Sequence, residues 1–254
     1  MYFDTHAHYD DRRFNEDRDE LLLSMNEAGV SLILNAGSSL KSSKSGLKLA
    51  DEYPFIYASV GVHPHDAKQM TDSTVGELEK LLTHPKAVAV GEIGLDYHYD
   101  FSPHDVQKMR FEQQLDLARR VQKPVIIHER ESTRDILDIL SNFRDLSCVF
   151  HCFSGSWETA KIILDRGWYL SFTGVITFKN ARRALEVLEK APQDRIMIET
   201  DCPYMAPTPM RGRRNSSLYL PYIAEMVAQT RGITLEDAAA ITMENGMRFF
   251  GLTN

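Results

Sequence analysis

Eight short apolar or β-branched runs, each followed by a stretch with helical patterning, recur along the 254 residues. The runs that read as strands are Tyr2–His6, Leu32–Ala36, Ile56–Val60, Ala87–Glu92, Val125–His128, Cys148–His151, Trp168–Phe172 and Arg195–Glu199. Between them, helical patterns are predicted over Glu16–Ala28, Leu40–Glu52, Thr74–Leu82, Pro103–Val121, Ser132–Asn142, Ser156–Arg166 and Asn180–Glu189. Leu220–Thr230 and Leu235–Phe249 close the chain, the second behind a cap at Thr234 with Asp237 three residues on. Strands that alternate with helices imply a mainly parallel sheet. Eight of them in a chain of this length imply closure into a single (β/α)8 TIM-type barrel, an α/β fold of one domain over residues 1–254. In the fourth helix, Met109, Phe111, Leu115, Leu117 and Ala118 are expected to share a buried face, and Pro103 is expected at the first helical position.

Six residues of metal-ligand type sit where these runs end: His6 and His8, Glu92, His128, His151 and Asp201. A set so dispersed cannot be a local metal knuckle. It needs a fold that gathers strand ends, and the C-terminal face of a barrel does so. His6 and His8 are two apart, so on an extended strand both imidazoles point to one side. Four histidines and two carboxylates are donors enough for two divalent cations, which together can activate a water and neutralise a departing oxygen. Imidazole favours zinc or manganese, whereas magnesium prefers oxygen, so the ion stays open among Mg, Mn and Zn.

Bulk properties narrow the class. A hydrophobic content of 43% and a charged content of 26% are those of an ordinary globular protein. No run approaches a membrane span, and Met1-Tyr2-Phe3-Asp4 leads straight into a strand without a basic leader. Three cysteines, Cys148, Cys152 and Cys202, read as reduced residues of a cytoplasmic protein. Cys152 and Cys202 adjoin candidate ligands but should face away from them, as strand neighbours do. A formal charge of −7 argues against a general nucleic-acid coat protein. It leaves room for an enzyme that meets a phosphodiester only at bound cations.

The ordered segments Asp4-Thr5-His6-Ala7-His8, Gly61-Val62-His63-Pro64-His65, Gly91-Glu92-Ile93-Gly94-Leu95-Asp96-Tyr97 and Pro124-Val125-Ile126-Ile127-His128 carry a resemblance. It continues through Phe150-His151-Cys152-Phe153-Ser154-Gly155, Phe172 to Asn180, Glu199-Thr200-Asp201-Cys202-Pro203-Tyr204 and Pro209 to Asn215. In these motifs the chain closely resembles the TatD family of metal-dependent deoxyribonucleases, amidohydrolase-type barrel hydrolases, over essentially its whole length. Glu129-Arg130-Glu131 and Tyr97-His98-Tyr99 depart from the usual family pattern without touching a proposed ligand. The resemblance implies that His6, His8, Glu92, His128, His151 and Asp201 are the metal-site residues. It implies a 3′–5′ exodeoxyribonuclease acting on single-stranded or damaged DNA, with RNA as an alternative substrate.

On this reading Glu92 bridges the cations, and Asp201 orients the attacking water and takes its proton, or serves as a ligand alone. His63 is a candidate phosphate contact, and His65 is expected to face outward. Arg130, two residues beyond His128, could clamp a phosphate. Arg211, with Arg213 and Arg214 in the one long irregular loop, could guide a strand; the plain alternative is a satisfied structural histidine for His63 and a solvated face for the arginines. Tyr204, Phe153 and Trp157 could stack on an unpaired base, or simply pack loops. No membrane or obligate protein partner is expected, and a monomer is the default. Two other functions compete: a barrel hydrolase of a small amide, lactone or phosphoester, and a metal-bearing binding protein without catalysis.

Overall fold

The computed structural model describes residues 1–252. In chain order, β1 (Tyr2–Ala7) is followed by α1 (Arg18–Leu23), β2 (Val30–Asn35), α2 (Leu40–Glu52) and β3 (Ile56–Val60). Next come α3 (Asp72–Leu81), β4 (Ala87–Asp96), α4 (His104–Val121), β5 (Val125–Arg130), α5 (Thr133–Leu140) and β6 (Cys148–Phe150). The series ends with α6 (Trp157–Asp165), β7 (Tyr169–Phe172), α7 (Arg182–Lys190), β8 (Ile196–Ile198), α8 (Leu220–Arg231) and α9 (Leu235–Phe250). The eight strands belong to one sheet in the order β1 to β8, the (β/α)8 barrel class expected from the sequence.

Two compact units share the chain. One comprises Met1–Asn35 with Cys152–Asn254, and the other Ala36–His151. Within the first, β1 pairs in parallel with β2, and β7 with β8. Just past these strands, the Asp201 N–H donates to the His6 carbonyl at 2.9 Å and the His8 N–H to that of Cys202 at 2.8 Å. Within the second, β3, β4, β5 and β6 pair successively in parallel. All ten residues of β4 are buried, as expected for a strand covered on both faces.

Several boundaries move for identifiable reasons. The first helix ends at Leu23, because beyond it the N–H groups turn to i−3 carbonyls, Met25 to Leu22 at 3.3 Å and Ala28 to Met25 at 3.1 Å. Both β4 and β5 outrun their expected ends, since Leu95 and Asp96 continue to pair with Glu129 and Arg130. Met109 is 45% exposed, off the buried stripe of Phe111, Leu115 and Ala118, because two residues along a helix turn a side chain most of the way to the opposite face. Pro103 is the N-cap of α4, one place earlier than expected. The Thr234 hydroxyl caps α9 as predicted, accepting from the Asp237 N–H at 3.0 Å.

Candidate metal centre

The residues that could bind metal form one constellation in each unit. In the Ala36–His151 unit, Glu92, Gly94 and Asp96 alternate along β4 and so share a face. Gly94 lies opposite His128 of β5. At φ +146°, a side chain there would put Cβ 2.0 Å from the His128 carbonyl oxygen, so only glycine allows this approach. The Glu92 N–H is anchored on the Gly37 carbonyl at 2.7 Å, and Ser59 donates to the Gly91 carbonyl at 2.7 Å. These bonds fix the backbone on either side of the glutamate.

One Glu92 oxygen, Oε1, gathers three imidazoles: His128 Nδ1 at 2.6 Å, His151 Nε2 at 2.8 Å and His63 Nε2 at 3.4 Å. Burial alone would raise the Glu92 carboxyl, yet the surrounding His151, His63 and His128 outweigh it and hold it well below the usual carboxylate range. The other nitrogen of His128 meets Asp96 Oδ2 at 3.1 Å, which His65 Nε2 also reaches at 2.8 Å. Burial opposes ionisation of Asp96 too, but the bonds to His128 and His65 keep it ionised. Desolvation works against charge on His128, and the hydrogen bonds to Asp96 and Glu92 overcome it, raising its pKa. Burial dominates at His63, pushed down to about 4. The His63 Nδ1 accepts the His65 N–H at 3.1 Å, so the neutral ring carries its proton on Nε2.

The other unit builds its constellation differently. His6 and His8 bring their Nε2 atoms within 3.2 Å of each other. Asp201 Oδ1 lies 3.4 Å from His8 Nε2 and 3.8 Å from His6 Nε2. Asp201 holds the left-handed backbone conformation at φ +54°, one that Asp tolerates better than most side chains. Asn215 fastens the turn that follows, its Nδ2 donating to the carbonyls of Thr200 at 2.8 Å and Tyr204 at 2.6 Å. Beneath lies Asp4, which accepts from the Thr200 N–H at 2.9 Å, the Thr200 hydroxyl at 2.6 Å and the Ser217 hydroxyl at 2.5 Å. Complete burial lifts Asp4 to about 7 despite those three bonds. Glu199 is buried and accepts the Cys152 N–H at 2.7 Å.

These donor sets fit divalent cations. His63, Glu92 and His128 each offer a ligand atom within 4.8 Å of the others. Imidazole and carboxylate together suit zinc, manganese and iron, and a ligand carboxylate bonded to neighbouring groups is the usual support of such a centre. The expected residues thus assemble as Glu92, His128 and His151 in one unit and His6, His8 and Asp201 in the other. Glu92 lies in the middle of β4 rather than at its end, and His65 turns inward to Asp96. Sequence reasoning missed Asp96, Asp4, Asn215 and Ser217. Alternation was the available signal for two of them: Asp4 is two residues before His6, and Asp96 four after Glu92.

The expected substrate contacts are placed unevenly. His63 belongs to the Glu92 constellation. Tyr204, 47% exposed, stands edge-on to His8 with ring centres 6.4 Å apart, under the Arg13 guanidinium at 4.1 Å. Arg130 stacks on Tyr99 at 4.8 Å, and Arg211 on Phe178 at 4.1 Å. Arg214 is engaged with Asp17 and the Arg13 carbonyl. Phe153 is buried packing, and Trp157 lies 5.5 Å beneath the Lys190 ammonium. Among the described residues, no helix is long and apolar enough to cross a membrane.

Comparison with known proteins extends these observations. The model of the family described as TatD related DNase matches residues 3–251. An uncharacterized metal-dependent hydrolase of Bacillus subtilis, YabD, is 42% identical over 98% of this chain and 99% of its own. A protein of Citrobacter rodentium named 3′-5′ ssDNA/RNA exonuclease TatD is 34% identical over 99% and 98% of the two chains. The solved structure of YJJV, a TatD homologue of Escherichia coli K12, is 28% identical with a TM-score of 0.93, covering 99% of this chain and 98% of that one.

Proposed function

This chain belongs to the family of TatD-related DNases and is a metal-dependent hydrolase, and from that premise we propose that it hydrolyses phosphodiester bonds from the 3′ end of single-stranded or damaged DNA. The observation that carries the reading is the convergence of His128, His151 and His63 on one oxygen of a buried, ionised Glu92. The choice of a nucleic acid is supported by the relatives named 3′-5′ ssDNA/RNA exonuclease, 34% identical over nearly the full length. RNA is the alternative polymer. The same reading takes residues 1–254 as one domain of a cytoplasmic monomer.

Under this reading, His6, His8 and Asp201 with Glu92, His128 and His151 hold divalent cations, two per chain, of Mg, Mn or Zn. Bound cations lower the pKa of water and neutralise charge developing on phosphate oxygens. The protein's own groups do the rest. Asp201, 13% exposed, is open enough to take a proton from the attacking water. Glu92 stays ionised and shares its charge among the surrounding imidazoles. The His63 Nε2–H is a neutral donor suited to a non-bridging phosphate oxygen. Arg130 and Arg211 supply charge for neighbouring phosphates, and exposed Tyr204 offers a ring face to a terminal base.

An end-labelled single-stranded oligonucleotide incubated with the protein and manganese or magnesium tests this directly. Shortening from the 3′ end is expected, and Glu92→Ala or Asp201→Ala should abolish it. Persistent cutting by both variants would refute the assigned residues. Turnover of a lactone or simple phosphoester with no cutting of any nucleic acid would favour the small-substrate hydrolase instead.

A further inference from the structure

The segment Phe172 to Asn180 is part of the sequence resemblance but has no task in the reaction described above. It ends beside a cavity of about 550 Å³ lined by Ser154, Val175, Phe178, Asn180, Arg182 and Arg183, among others. Arg182 and Arg183 are both exposed, as are Lys179 and Asn180. Arg211 reaches the same place, its guanidinium lying 4.1 Å over the Phe178 ring.

Several cations elsewhere on this acidic surface are neutralised by a carboxylate, as in Arg119 with Asp145, Arg120 with Glu79 and Lys190 with Glu186. Among the described residues, Lys179, Arg182, Arg183 and Arg211 form no ion pair within 4.0 Å, although the charge of Arg183 is felt by the Glu158 carboxylate. Helix stability does not explain the two arginines either. They occupy the first turn of α7, which holds no acid, and positive charge there opposes the helix dipole. Two adjacent exposed arginines thus line one concavity on a chain whose net charge is −7.

A loop also ties the segment beside the concavity to the candidate metal-binding residues of its own unit. The loop that leaves Asp201 through Tyr204 packs on this segment, with the Thr208 N–H donating to the Thr177 hydroxyl at 2.8 Å. Gly174 lies so close to that loop that a Cβ would sit 2.3 Å from the Met205 carbonyl oxygen.

We propose that the cavity at Arg182 and Arg183 is a second subsite, which takes backbone phosphates of a nucleic-acid strand away from the bond being cut. The proposal deepens the nuclease reading and rests on it for the identity of the polymer. Guanidinium groups hold phosphate through paired N–H donors. The apolar walls, Val175 and Phe178, suit a sugar or base edge. The site would let a long strand bind more tightly than its terminal nucleotides alone allow.

The test is binding of the manganese-loaded protein to a short fluorescent oligothymidylate with hydrolysis-resistant phosphorothioate linkages, followed by anisotropy over a range of salt concentrations. The variant Arg182→Gln/Arg183→Gln is compared with Arg119→Gln/Arg120→Gln, which removes the same charge from α4. The first should weaken binding about tenfold and flatten the slope of log affinity against log salt by about 1.4, the loss of two single-strand phosphate contacts. The second should leave both nearly unchanged. Equal weakening by both pairs, no weakening by the first, or no binding by the unaltered protein would each overturn the proposal. Cleavage of an ordinary end-labelled strand is scored separately. Cleavage without the expected binding pattern removes the subsite alone, whereas tight, Arg182-dependent binding without cleavage removes the nuclease reading and leaves the subsite.

Discussion

Glu92 and Asp201 are both proposed to hold metal and to act in catalysis, yet the two units position them by opposite means. Glu92 is held by a sheet. Its neighbours arrive one per strand, His128 from β5 and His151 just past β6, and β4 is buried along its whole length. Asp201 is held by a loop, three residues past β8 and in a left-handed conformation. Two imidazoles come from β1 and the residue just past it, and the bonds of Asp4, Asn215 and Ser217 add to a single parallel bridge between Ala7 and Cys202. The difference teaches that a ligand inside a sheet is fixed chiefly by strand register, whereas a ligand just past the sheet, with one bridge to hold it, relies more on a polar network.

The strongest way to break this comparison is to remove each carboxylate in turn. Glu92→Ala and Asp201→Asn should each slow single-turnover cleavage by on the order of a thousandfold. Only Glu92→Ala should also destabilise the metal-free protein, by roughly 3–5 kcal/mol, because it strips a buried anion from three clustered histidines. Equal losses in urea denaturation for the two variants would show that both are held alike. Metal removal comes next. Dialysis against a chelator should lower thermal stability by about 2.7 kcal/mol for each ion once present at a hundred times its Kd, and manganese should restore it. An unchanged melting temperature would argue that neither donor set binds metal in the folded state.

Smaller effects probe the supports. Gly94→Ala forces a Cβ against the His128 carbonyl and should cost roughly 1–3 kcal/mol, with a matching loss of activity. Wild-type stability in that variant would mean that β4 and β5 can part without consequence. Ser217→Ala removes one donor from Asp4 and should cost about 1 kcal/mol, lowering kcat more than it raises KM because the Asp201 loop loosens. If activity is untouched while stability falls, the network serves folding alone.

Legibility followed the same division. Strand and helix order could be read because apolar runs of strand length alternate with helical patterning, and burial of both strand faces leaves that signal in composition. His128 and His151 follow such runs and were visible for that reason. His6 and His8 were visible from a spacing of two on an extended segment. The inward turn of His65 was not, since only the meeting of its ring with Asp96 at 2.8 Å gives it a direction. Asp4 and Ser217 were equally hidden, because 213 residues of chain separate two groups that meet at 2.5 Å.

By itself, then, the sequence determined the class of fold, the six donor residues proposed to hold metal and the family to which they belong, because each is written in local periodicity or in short ordered motifs. Tertiary structure alone decided which groups share a proton or a lone pair: Glu92 as the hub of three imidazoles, Asp96 between His65 and His128, and Asp4 beneath the Asp201 loop. It also decided that Arg182 and Arg183 line one cavity. Such facts depend on distances between side chains far apart in the chain, and electrostatic interactions are set by distance and burial, which no single segment encodes.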